Sequence, residues 1–236
     1  MGTGLQTTTA LLIALFLAAA YVTGGGRTVD LFEETAQGQG PGGETAIEQV
    51  DPGEFQWRGS VSVGRPWDGA LLRGVQLPAE GRDFFTWDFP LRRKPNRGWR
   101  RWGADRTVNL VLRVIAEYRL AHPLAPRVGI ADLSRPHGGP FGRRFGGLGH
   151  ASHQNGTDVD VLYPRKDGFE LAPGRPSLID RPLAQDLVDR FVAAGAKYVF
   201  IGPRTGLGGR GRVVEELVHH DNHLHIRFFD RGRAVG

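Results

Sequence analysis

The run His223-Leu224-His225-Ile226-Arg227-Phe228-Phe229 alternates polar and apolar side chains, and that period of two restricts what this part of the chain can build. A period of two belongs to a strand, so His223, His225 and Arg227 point to one face and Leu224, Ile226 and Phe228 to the other. A second run, Asp158-Val159-Asp160-Val161-Leu162, repeats the pattern with both aspartates on one side. Two such strands lying side by side would converge imidazoles and carboxylates over one face of a sheet and leave the other face for the core.

Histidine placement adds to this. Six of the eight histidines fall in two segments, His150 and His153 in the first and His219, His220, His223 and His225 in the second. There is no cysteine, which excludes disulfides and thiolate metal sites and leaves His, Asp, Glu or water as the only ligands for a metal. Clustered imidazoles with a carboxylate suit Zn2+ in a site that keeps an open position for water, which is a hydrolytic metal centre.

At 236 residues the chain has room for one medium domain with extensions. Its 35 Gly and 15 Pro point to many loops and to an α+β fold rather than a helical bundle. The apolar segment from Thr9 to Val22 has no charged side chain before Arg27, so residues 1–26 read as a signal peptide or an N-terminal membrane anchor. Residues 27–54 are Gly-rich and acidic, with Arg27 facing seven carboxylates for a net −6, and read as a flexible linker. Residues 55–236, the remaining domain, then carry a net +11. An exported domain of that charge meets an anionic cell wall rather than nucleic acid, although an arginine-rich surface needs no partner at all.

Between Phe55 and Trp102 lie all five Trp, namely Trp57, Trp67, Trp87, Trp99 and Trp102, interleaved at the end with Arg92, Arg93, Lys94, Arg97, Arg100 and Arg101. Aromatics at this density read as core and cleft wall, with base or sugar stacking as the alternative. Val108, Val111, Leu112, Ile115 and Tyr118 recur at helical spacing, predicting a helix capped by Asp105 and stopped by Pro123. Val128 to Leu133 reads as a strand, and Ser134 to Pro140 as a loop placed to line a cleft. Asp180 caps a second helix with Leu183, Leu187, Val188, Phe191 and Val192 inward, and Lys197 to Ile201 follows as a strand. Gly206-x-Gly208-x-x-Gly211 matches a dinucleotide fingerprint only in form, because no βαβ unit can follow it. His122 and His137 lack partners at ligand spacing and read as structural.

The combination Ser152-His153-x-x-Gly156-x-x-x-Asp160 with a distant His223-x-His225 resembles the zinc peptidases grouped as lysostaphin, D-alanyl-D-alanine peptidases and sonic hedgehog. Within that group the chain is most similar to the penicillin-insensitive murein endopeptidases. The similarity includes Leu77-Pro78-Ala79-Glu80-Gly81, the Gly-His-Ala-Ser-His-Gln segment from Gly149, Asp158-Val159-Asp160, and His220-x-x-His223-x-His225-x-Arg227.

The resemblance implies an α+β fold with a central antiparallel sheet, flanking helices and long loops, and a zinc site on the sheet face. The implied reaction is hydrolysis of peptide cross-links in bacterial peptidoglycan, in the periplasm or another extracytoplasmic space. Carried over by position, His153, Asp160 and His225 match the zinc ligands, His223 the general base, and His150 and His220 further histidines of the site. His150, three residues before His153, is either a fourth ligand or a donor to the ligands. Arg135 and Arg227 are candidates for gripping substrate carboxylates or are ordinary salt-bridge partners. The absence of cysteine departs from the family pattern and removes any family disulfide. A D-Ala-D-Ala carboxypeptidase or dipeptidase of the same group, and a non-catalytic metal-stabilised cell-wall-binding module, are the alternatives.

Overall fold

A computed structural model describes residues 57–230, all within one unit, Thr45–Gly236. The apolar segment from Thr9 to Val22 and the acidic stretch 27–54 lie outside the described residues. Among the described residues no helix is long and apolar enough to cross a membrane.

The fold is α+β. A hairpin of β1 (Val61–Arg65) and β2 (Asp68–Leu72) comes first, followed by β3 (Val75–Gln76), β4 (Phe84–Thr86) and β5 (Trp102–Gly103). Then come α1 (Asp105–Ala121), β6 (Val128–Ile130), β7 (Asp158–Leu162), α2 (Arg181–Ala193), β8 (Ala196–Ile201), β9 (Val214–Glu216) and β10 (His223–Phe228). Six strands form the main sheet in the order β4-β6-β7-β10-β8-β9. The four central strands β6, β7, β10 and β8 pair antiparallel with one another, as expected of the centre, whereas β4 pairs parallel to β6 and β9 parallel to β8. The sheet is therefore mixed, because β4 and β9 each join an edge after a crossover instead of a hairpin.

Alternation decides which face is core. Val159 and Val161 of β7 and Leu224, Ile226 and Phe228 of β10 pack with α1 and α2 in one apolar cluster, each large side chain contributing about 1.5–3 kcal/mol by leaving water. Their polar alternates occupy the opposite face, flanked by a smaller cluster of Phe85, Trp87, Ala131 and Leu162. All five residues of β7 are buried, since both faces of the sheet are covered there.

Both helices fall where their periodicity places them. Asp180 caps α2, accepting a hydrogen bond from Leu183 N at 3.2 Å. Asp105 does not cap α1: Ala104 is the N-cap, and the buried Asp105 carboxylate accepts from Arg58 N at 3.0 Å and Ser60 N at 2.6 Å. Ser60 Oγ returns the contact by accepting from Asp105 N at 2.7 Å, so the cap is supplied from the entering chain. His122 is structural, with Nε2 at 2.9 Å from Asp186 Oδ2, joining α1 to α2.

Three further expectations are corrected. The strand from Val128 ends at Ile130 rather than Leu133. The Ser134 to Pro140 loop pairs with the hairpin instead of lining the cleft, through Leu71 N to His137 O at 3.0 Å and Gly139 N to Gly69 O at 3.1 Å. The tryptophans are not all core: Trp87 is buried and Trp67 lines the cleft, but Trp57 is 63% exposed.

Candidate metal centre

The β7–β10 register sets His225 opposite Asp160, Arg227 opposite Asp158, and His223 opposite Leu162. Strand alternation then brings His223, His225, Asp158 and Asp160 to the same face. His153 arrives from the loop before β7 and has a left-handed backbone, with φ 65°. That conformation costs about 1–3 kcal/mol for a non-glycine residue. It is held by the His153 N–H donating to Asp158 Oδ2 at 2.9 Å.

Gly156 closes the same loop. Its φ of 78° is also left-handed, and a Cβ there would meet Ala104 N at 2.8 Å and the Leu71 side chain at 2.8 Å. With no side chain, Gly156 offers its carbonyl to Ala104 N at 2.9 Å, tying the His153 loop to the start of α1.

Three atoms then face one another. His153 Nε2 is 3.3 Å from Asp160 Oδ1, His225 Nδ1 is 3.3 Å from the same oxygen, and the two nitrogens are 3.2 Å apart. The partner behind the His153 ring assigns its tautomer. His153 Nδ1 donates to the Leu133 carbonyl, leaving Nε2 as a lone pair. His225 Nε2 faces Asp158 Oδ2 across 3.7 Å, beyond hydrogen-bond reach, and the ring turns Nδ1 to Asp160. Asp158 is itself anchored by Arg227, at 2.7 and 3.1 Å. Among the described residues neither oxygen of the buried Asp160 has a hydrogen-bond donor. Two ring nitrogens and a carboxylate converging out of water require an electrophile among them, so the cluster is a candidate His/Asp metal site. His150, His153 and Asp160 form one compact ligand group, and His153, Asp158 and His225 another.

Titration follows the same geometry. Burial alone would raise Asp160, but His153 and His223 beside it hold it well below the ordinary carboxylate range. Burial lowers His153. Burial also opposes a charge on His225, yet Asp158 and Asp160 outweigh it and push its pKa up to about 9, so without a cation a proton takes that role.

The remaining histidines surround the cluster. His223 Nδ1 meets Asn222 Oδ1 at 2.6 Å, and its Nε2 is 3.8 Å from Asp160 Oδ1. Burial pushes its pKa down to about 3. His220 packs against His223 with ring centroids 4.7 Å apart and bonds through Nδ1 to Val218 O at 2.8 Å. His150 bonds through Nε2 to Asp132 Oδ2 at 2.8 Å and turns Nδ1 toward Asp160 Oδ2 at 3.8 Å. A cleft of about 790 Å³ opens over the group, walled by Trp67, Phe89, Leu148, Phe200, Leu217 and Val218, a size suited to a peptide-scale ligand.

All six histidine and aspartate residues singled out from the sequence are thus brought together. Of the two arginines proposed to grip carboxylates, Arg227 is clamped on Asp158, whereas Arg135 gives one nitrogen to Pro140 O at 2.9 Å and covers the Phe145 ring. Sequence reasoning missed the roles of Asp132 and Arg100, whereas Trp67 stands in the cleft wall as one of the aromatics expected in core or cleft. For Asp132 a signal existed, because a carboxylate interrupts the apolar run from Val128 to Leu133.

A substrate-sized cleft over a buried His/Asp cluster on the face of an α+β sheet defines the general class, a protein built around a candidate metal centre. The chain belongs to the penicillin-insensitive murein endopeptidase family, whose model matches residues 62–190, more than half of its length. The match takes in His150, His153 and Asp160; His220, His223 and His225 lie beyond it and join the site through the β7–β10 register. No curated protein matches the chain.

Proposed function

We propose that the protein is a zinc-dependent endopeptidase that hydrolyses peptide cross-links of bacterial peptidoglycan, with His153, Asp160 and His225 as zinc ligands. One observation carries the choice of metal site. Tetrahedral zinc with nitrogen and oxygen ligands at 2.0–2.1 Å separates its ligand atoms by about 3.3 Å. The three converging atoms stand 3.2, 3.3 and 3.3 Å apart. When bound, zinc supplies a Lewis acid for the scissile carbonyl and lowers the pKa of a water toward ~7.

The chain's own groups supply the rest. With Nδ1 of His223 engaged by Asn222, its Nε2 is the nitrogen left to accept a proton beside Asp160, and burial keeps the ring neutral. That is the position of a general base that does not occupy a metal site. His220, in ring contact with His223 at the cleft wall, is the alternative group to shuttle the proton. Leu133 holds the ring of His153 in its tautomer, and the Asp158 carboxylate stands behind the ring of His225. His150 is a fourth ligand or a donor to the ligands. No covalent intermediate is needed, so Ser152 at the cleft lining is not a nucleophile.

The substrate places the protein outside the cytoplasm, in the periplasm or another extracytoplasmic space. Residues 1–26 then act as signal peptide or anchor, 27–54 as a linker, and 55–236 as the peptidase domain. Purified full-length protein incubated with zinc and defined muropeptides, its products read by mass spectrometry, tests the proposal. Release of cross-linked stem peptides as monomers is the expected result. Release of terminal D-Ala alone would make it a carboxypeptidase, and bound zinc without any cleavage would leave a binding module.

A further inference from the structure

Beneath the cleft lies an ionic group that the mechanism above does not use. Arg100, Asp132 and Asn96 are each at most 1% exposed. Asp132 Oδ1 accepts from Asn96 Nδ2 at 2.9 Å and Arg100 Nε at 2.7 Å, while Oδ2 accepts from Arg100 Nη2 at 2.5 Å and meets His150 Nε2 at 2.8 Å. A buried ion pair of this kind adds little net stability over apolar residues of the same volume. What it does here is end on an imidazole at the cleft.

We propose that Arg100 and Asp132 are positioning residues that lock His150 in the tautomer with its proton on Nε2, so that Nδ1 is presented to the site as an acceptor. The inventory of atoms leads to it. Among the described residues His150 Nε2 bonds to this carboxylate alone, and a carboxylate with Arg100 on both oxygens can only accept. The proton of the neutral ring therefore belongs on Nε2, and a lone pair on Nδ1 faces Asp160 Oδ2 at 3.8 Å. The ring has little freedom to turn, with Phe141 and His153 at centroid distances of 4.9 and 4.3 Å.

The backbone of Asp132 serves the same end. Its carbonyl accepts from Asp160 N at 2.9 Å, and Ala131 N donates to Asp160 O at 2.8 Å. Arg100 Nη1 donates to Phe145 O at 2.8 Å, fastening the segment that leads into the cleft wall at Gly146 and Gly147. One residue pair thus registers the Asp160 strand, the His150 ring and the wall above them. The tautomer does not depend on the peptidase reading; only its consequence for turnover rests on that reading.

The test is nitrogen NMR of histidine-labelled, metal-free, full-length protein at a pH alkaline enough for the ring to be neutral. The wild type is expected to carry the His150 proton on Nε2. Asp132→Asn preserves the shape but offers an amide N–H₂ toward His150 once its oxygen stays on Arg100 and Asn96, so the proton moves to Nδ1. With zinc restored, that variant is expected to lose about 10–100-fold in kcat on a muropeptide with KM unchanged, the usual worth of a group that orients a metal-site histidine.

A purely structural Asp132 would lower stability and leave the tautomer where it was. A wild-type spectrum with the proton on Nδ1, an Asp132→Asn spectrum identical to wild type, or undiminished turnover in Asp132→Asn would each overturn the proposal. If Asp132→Asn fails to fold, the wild-type spectrum decides alone. A zinc-loaded wild type that cleaves no murein peptide sinks the peptidase reading instead, and the spectra still decide the tautomer.

Discussion

Asp160 and His225 stand directly opposite each other in the β7–β10 ladder, and Asp160 Oδ1 lies 3.3 Å from His225 Nδ1. Because Asp160 is the one anionic group among the three converging atoms, Asp160→Ala is expected to abolish tight zinc binding while the strand itself remains. His225→Ala is expected to lose both metal and activity. Metal analysis of the purified variants checks this, and stoichiometric zinc in both would remove them from the ligand set.

His223 sits two residues before His225 on the same face yet has its Nδ1 committed to Asn222. His223→Ala is expected to keep its zinc and folded stability while losing roughly 10²–10⁴-fold in turnover, the worth of a positioned general base. Zinc content and muropeptide cleavage are to be read on the same preparation. Cleavage at the wild-type rate would take His223 out of the mechanism.

The polar face of this site was legible because strand alternation is a local property. The residues from Asp158 to Leu162 and from His223 to Phe228 carry their facing in their spacing, and the two helices carry theirs. What could not be read depends on contacts distant in sequence. Asp132 meets Arg100 across 32 positions and His150 across 18, and no local period records such a meeting. The β1–β2 hairpin was missed because Gly64, Pro66 and Gly69 interrupt any alternation in it, and the parallel edge strands because β4 and β9 are only three residues long.

Gly156 is legible as a motif residue and explained by space. Gly156→Ala must place a Cβ 2.8 Å from Ala104 N in a left-handed conformation. A loss of about 2–4 kcal/mol is expected from strain and overpacking together. Urea unfolding of the metal-free protein measures it, and an unchanged midpoint would show that the loop relaxes freely.

Residues 1–26 are expected to direct export or anchor the chain, since the apolar run from Thr9 to Val22 is followed by an acidic linker. Fractionation of cells expressing the full chain is the measurement. Uncleaved protein recovered wholly from the soluble cytoplasm would refute it.

Metal uptake should release a proton at neutral pH. Without a cation, Asp158 and Asp160 overcome burial and raise His225 to about 9, so near pH 7 its ring is charged and Nδ1 carries a proton. Nδ1 must give up that proton to become a ligand. The affinity for zinc is therefore expected to rise with pH up to about 9 and level off above it. The same shift makes the metal-free protein sensitive in the opposite sense. A histidine whose folded pKa lies above its ordinary value of 6.5 contributes stability that is fully present below that value and is lost as pH rises through 9. Titration calorimetry in buffers of different ionisation enthalpy counts the released protons, with about one expected at neutral pH and none above the raised pKa. No proton release at pH 7, together with a metal-free stability that stays flat from pH 6.5 to 9, would show that His225 is not charged between its two carboxylates.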